Sequence, residues 1–74
     1  MKNIVVLGST GSVGVQTLDI IRAFPNELNV VGLIANNNTQ LLNKQIDEFQ
    51  PEFINFNQQL ISRVELQGAK LENN

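Results

Sequence analysis

Cysteine, histidine, tryptophan and tyrosine are all absent from the 74-residue chain. Without cysteine no disulfide can staple the fold, and without cysteine or histidine there is no thiolate or imidazole metal site. A cysteine-free chain is also compatible with a reducing compartment. Positive charge is sparse. Lys2, Arg22, Lys44, Arg63 and Lys70 are scattered, and acidic residues outnumber them, for a formal net charge of −2. No basic patch results, which argues against nucleic acid or a membrane surface as a partner. Long apolar runs are missing too. The longest, Ile4-Val5-Val6-Leu7, is far too short for a membrane span or the core of a signal peptide, so the chain is expected to enter a strand at once. A chain of 74 residues is at most one small domain. A domain of this size buries only about 60% of the surface its unfolded form exposes, so it is marginally stable alone.

What is present is an alternation of short apolar runs and amphipathic stretches. Residues 3–7 predict a first strand, β-branched and without polar alternation, as in a parallel strand buried on both faces. Residues 12–24 predict a helix with Leu18, Ile21 and Phe24 on one side, and Pro25 disfavours helical geometry at Phe24. Residues 29–34 predict a second strand. Residues 39–49 predict a second helix, N-capped by Asn38 or Thr39, with Leu42, Ile46 and Phe49 on one face. Pro51 marks a boundary, and residues 52–56 predict a third strand. Residues 58–67 predict a third helix, capped by Asn57 and stopped by Gly68, with Leu60, Ile61 and Val64 on its apolar side.

The order strand, helix, strand, helix, strand implies parallel strands joined by right-handed crossovers. The fold class is therefore α/β: a partial Rossmann-type βαβαβ(α) unit with a three-stranded parallel sheet. Both crossovers step in one direction, so the first two helices cover the same face and only the third can reach the other. In a complete doubly wound sheet a further strand would pair with the free edge of the first.

The informative segment is Gly8-Ser9-Thr10-Gly11-Ser12-Val13-Gly14, which joins the first strand to the first helix. Gly8 permits a sharp turn out of the strand, Gly11 lets backbone approach a pyrophosphate, and Gly14 lets the helix pack tightly on the sheet. The free N–H groups of Thr10 to Val13 would gather at the helix N-terminus, where the dipole favours an anion, and Thr10 and Ser12 add hydroxyl donors. The spacing is GxxGxxG rather than the commoner GxGxxG. A glycine triplet alone is a weak signal, and its place after the first strand of a βαβ unit strengthens it. A tight turn without a ligand is the bland alternative.

The second informative place is the end of the second strand, Ile34-Ala35-Asn36-Asn37-Asn38. Many NAD-binding proteins place a carboxylate there for the adenine-ribose 2′-hydroxyl. None stands here, which permits the 2′-phosphate of NADPH. Asn36, Asn37 and Asn38 and the N–H groups that open the second helix can donate to it. Asparagine is also a common turn and capping residue and needs no ligand to explain it. Asp19 with Arg22, and Lys44 near Asp47 and Glu48, are expected to be solvated local ion pairs. No spacing gathers a catalytic dyad, a triad or a metal cluster, so no catalytic or metal residue is assigned.

The run at 8–14, followed by Thr17-Leu18-Asp19-Ile20-Ile21-Arg22 and Pro25, resembles the opening of the 1-deoxy-D-xylulose 5-phosphate reductoisomerases. Val30-Val31-Gly32-Leu33 with Ala35 and Asn38 fits as well, as does Phe49-Gln50-Pro51 before the third strand. The resemblance extends from residue 1 to about 56. It implies that Thr10, Gly11, Ser12 and Val13 contact the NADPH pyrophosphate and that Asn36, Asn37 and Asn38 hold the adenosine end. Family members often carry Gly at the position of Asn36 and a basic residue at that of Asn37. The resemblance also implies the NADPH-dependent isomerisation and reduction of a sugar phosphate in isoprenoid precursor synthesis. A divalent metal (Mg or Mn) assists, in a bacterial cytoplasmic enzyme that is a homodimer at full length. Such enzymes are several times longer, so residues 1–74 are expected to be a truncated N-terminal NADPH-binding domain, inactive alone, with the catalytic and C-terminal domains absent. Two alternatives stand beside this. One is another NADP-dependent Rossmann reductase, such as a semialdehyde dehydrogenase or an extended short-chain reductase, against which the Thr-Leu-Asp-Ile-Ile-Arg continuation argues. The other is a non-catalytic remnant or binding module.

Overall fold

A computed structural model describes residues 1–62. The elements run β1 (Lys2–Leu7), α1 (Ser12–Arg22), β2 (Leu28–Ala35), α2 (Thr39–Phe49), β3 (Phe53–Phe56) and β4 (Gln59–Ser62). They form one sheet in the order β1-β2-β3-β4. The first three strands are parallel, and β4 returns antiparallel to β3. The α/β class and the Rossmann-type βαβαβ unit are as the sequence predicts.

Sheet register explains which residues become the core. Val6, Leu33, Ile54 and Ile61 lie in one row across all four strands. The first three are buried and Ile61 packs against them. Leu18 and Ile21 from α1 and Leu42 and Ile46 from α2 complete this core, so both helices cover one face. Each side chain there meets apolar neighbours from another element, and full burial of one such side chain stabilises by roughly 1.5–3 kcal/mol. The adjacent row, Leu7, Ile34, Asn55 and Leu60, points to the opposite face because side chains alternate along a strand. Leu7 and Leu60 are largely exposed there. Val5, on the same side, is 44% exposed, so β1 is buried on one face and not on both as its apolar run suggests.

Local chemistry sets the boundaries. Helix α1 ends at Arg22, two residues earlier than expected, and Phe24 is exposed beside Pro25. Helix α2 opens on Asn38, whose side-chain oxygen accepts from the Leu41 N–H at 3.2 Å. It closes on Gln50 in the left-handed region, with Pro51 directly after it.

The third helix expected over 58–67 is corrected by the structure. Residues 59–62 form β4, and residues 63–67 with Gly68 lie outside the described residues. Asn57 is no helix cap. Asn57 and Gln58 both take positive φ, 52° and 69°, which is the backbone of a two-residue hairpin turn whose twist matches that of paired strands. The sheet consequently has four strands rather than three, and among the described residues no helix covers its second face.

Candidate nucleotide-binding site

The site is built where β1 and β2 end and both helices begin. Gly8 leaves β1 with φ +67°, a conformation that a side chain disfavours, and so turns the chain back toward α1. Gly14 then lets the first turn of α1 settle on that loop. A Cβ there would lie 2.0 Å from the Gly8 carbonyl oxygen and 2.7 Å from the Ser9 Cα. The Gly11 N–H donates to the Gly8 carbonyl at 3.0 Å, which closes the turn.

Helix α1 starts without a side-chain cap and with no acidic residue in its first turn. Its ladder begins with the Val15 N–H donating to the Gly11 carbonyl at 2.9 Å, so the N–H groups of Ser12, Val13 and Gly14 precede it. Gly11, Ser12 and Val13 are exposed, Thr10 is half-buried, and Val13 reaches 76% exposure. The result is an open, uncapped helix N-terminus with a partial positive charge and no carboxylate in its own first turn, which is the electrostatics an anion requires.

The turn at 36–38 lies against this loop. The Thr10 hydroxyl donates to the Asn37 carbonyl at 3.2 Å, with the Asn37 Oδ1 at 3.5 Å. The two segments singled out in the sequence, 27 positions apart, thus meet at one place. All three asparagines are exposed. Asn38 already has structural work, since its left-handed backbone and its cap bond open α2. Asn36 and Asn37 are the freer pair for a ligand.

At the other end of the helices Arg22 donates to Glu48 through a two-pronged contact, Nε to Oε2 and Nη2 to Oε1, the latter at 2.8 Å. It also reaches Asp19 on its own helix and lies over the Phe49 ring, 5.2 Å from its centroid. The guanidinium hydrogen bond holds the Glu48 carboxyl below its ordinary pKa, and the same bond raises that of Arg22. Lys44 is not the partner of Glu48 that the spacing suggests.

Over residues 4–73 the sequence matches the family described as 1-deoxy-D-xylulose 5-phosphate reductoisomerase. The chain belongs to that family. Reductoisomerases bearing this name from Geobacter sp. (strain M21) and Thermoanaerobacter sp. (strain X514) are each 54% identical over 54 residues, or 73% of this chain. One from Microcystis aeruginosa is 53% identical over 57 residues, or 77% of the chain. The chain spans about 14% of the length of the first two of these curated relatives and 15% of the third.

The structure adds two residues that sequence reasoning missed. Gln45 and Ser9 are buried polar residues, and the Gln45 Nε2 donates to the Ser9 carbonyl at 2.8 Å. The signal was available: a glutamine on the apolar face of α2, between Leu42 and Ile46, has to find a partner. Among the described residues no group of three or more Cys, His, Asp or Glu gathers to hold a metal ion. No helix among them is long and apolar enough to cross a membrane.

Proposed function

We propose that residues 1–74 are the NADPH-binding N-terminal domain of an enzyme that converts 1-deoxy-D-xylulose 5-phosphate to 2-C-methyl-D-erythritol 4-phosphate in isoprenoid precursor synthesis. In this reading the pyrophosphate rests on Thr10, Gly11, Ser12 and Val13, and Asn36, Asn37 and Asn38 face the adenosine 2′-phosphate. The single observation that carries it is the Thr10–Asn37 contact, which sets an uncapped helix N-terminus beside a carboxylate-free turn.

The fit is chemical as well as geometric. Backbone donors at 12–14 suit a diphosphate, and the surface at Gly11 admits close approach, since a Cβ there would meet only the Gly8 oxygen at 3.4 Å. When bound, NADPH supplies the hydride of the reduction. The residues of this chain bind and orient it, and Val13 presents an apolar surface at the helix start. The divalent metal, the sugar-phosphate contacts, homodimer formation and a cytoplasmic site of action belong to the same proposal at the level of the whole enzyme. The 74-residue chain by itself is expected to show no turnover.

Titration of the 74-residue chain with NADPH and NADH, followed by nicotinamide fluorescence, tests the reading. NADPH should bind more tightly, because no carboxylate repels the 2′-phosphate. The preference should be only a few-fold, because no Lys or Arg occupies 35–38. Tighter binding of NADH would overturn the assignment of the turn.

A further inference from the structure

Ser9 is held on both sides by other elements. Its N–H donates to the Ile34 carbonyl of β2 at 3.0 Å, and its carbonyl accepts from Gln45 Nε2 at 2.8 Å. Ser9 is fully buried and Gln45 is 4% exposed. The arrangement is a poor choice for stability alone. The Ser9 hydroxyl and the Gln45 Oε1 are both buried without a hydrogen-bond partner, and burying such groups unpaired carries a free-energy cost that an apolar side chain would avoid.

The geometric consequence falls on the loop. The Ser9 carbonyl and the Thr10 N–H belong to one planar peptide unit, and in the trans form they point in opposite directions. No peptide bond in the described chain is cis. A carbonyl drawn toward α2 therefore aims the Thr10 N–H away from α2. We propose that Gln45 is a positioning residue for the nucleotide loop: by holding the Ser9 carbonyl it presets the Thr10 N–H, and with it the loop through Val13, for a pyrophosphate. The inference rests on the NADPH reading and deepens it, adding a residue of α2 that touches no ligand itself.

The test compares Gln45→Leu with the unsubstituted 74-residue chain, using two ligands. NADPH carries a pyrophosphate, whereas adenosine 2′-monophosphate engages only the 36–38 turn. Gln45→Leu should weaken NADPH about tenfold, the loss expected from one misaligned loop donor, and change adenosine 2′-monophosphate less than about twofold. In the ligand-free variant, amide exchange at Ser9 and Gly11 should quicken about tenfold while the β2–β3 ladder keeps its protection. The thermal midpoint should stay close to that of the parent, because the substitution removes one unpaired buried oxygen as it creates another. Gln45→Met, unbranched and of similar length, repeats the comparison if the leucine variant fails to fold.

Unchanged NADPH affinity in the variant overturns the proposal. Equal weakening of both ligands together with a lowered midpoint also overturns it, because that is the signature of a merely structural residue. If the unsubstituted chain binds neither ligand, the cofactor reading falls first, and loop exchange in the ligand-free variants still decides whether Gln45 holds the loop.

Discussion

An alanine at position 14 would bring its Cβ to 2.0 Å from the Gly8 carbonyl oxygen, inside any tolerable contact, and the obstacle is backbone that cannot rotate away. The loop or the helix would have to shift. Overpacking of this kind costs about 1–3 kcal/mol, and here it also moves the donors at Thr10 to Val13. Gly14→Ala is therefore expected to lower the thermal midpoint by roughly 4–8 °C for each kcal/mol lost and to remove measurable NADPH binding. Circular dichroism melts with a parallel titration check both, and a variant that binds as the parent does would show that the close approach is not needed. The packing role of Gly14 was legible in the sequence, because a glycine at that place after the first strand of a βαβ unit is where helix and strand pack closely. The Ser9–Gln45 bond was not, since it joins residues 36 positions apart and depends on how α2 lies over the loop.

Among the elements, α1 and α2 are fastened at their C-terminal ends by Arg22 and Glu48, which sit one on each helix. The sign of its pH dependence follows from the Glu48 carboxyl, whose pKa the Arg22 hydrogen bond lowers in the folded chain. The stabilisation is present above the unfolded carboxyl value, about 4.3, and is lost as pH falls through the lower folded value. Both side chains are more than two-fifths exposed, so solvent screening limits the contribution to roughly 0.5 kcal/mol. Glu48→Gln should lower the thermal midpoint by about 2–4 °C at pH 7 and make the difference from the parent vanish in acid. A gap that persists at pH 2 would assign the effect to packing instead. The hairpin shows why some elements resist reading from sequence. Leu60 and Ile61 precede Val64 at a spacing that suits a helix, and Asn57-Gln58 lacks the glycine that usually announces a two-residue turn. Strand pairing with β3, a tertiary event, overrides that local pattern. The first two helices were legible because Pro25, Asn38 and Pro51 punctuate them.

For the molecule as a whole, the helices cover one sheet face, and the other presents Val5, Leu7 and Leu60 to solvent. Among the described residues β1 pairs only with β2, so its outer edge offers unpaired backbone groups beside that apolar surface. Such edges pair with other chains. The 74-residue chain is expected to self-associate, and Val5→Lys, on the exposed face, should shift it toward monomer while leaving the core intact. Val6 would be the wrong position for this test, because it is buried under the helices. Sedimentation velocity decides the matter: a parent chain that runs as a sharp monomer would show that the edge is harmless. Loop and turn meet at the C-terminal ends of β1 and β2. The most direct measurement is amide chemical-shift mapping of the 15N-labelled chain during NADPH titration. The account predicts that the largest changes fall on Thr10, Gly11, Ser12 and Val13 and on Asn36, Asn37 and Asn38, with little change at Arg22 and Glu48. Shifts confined to the far end of the helices, or none at millimolar NADPH, would contradict it.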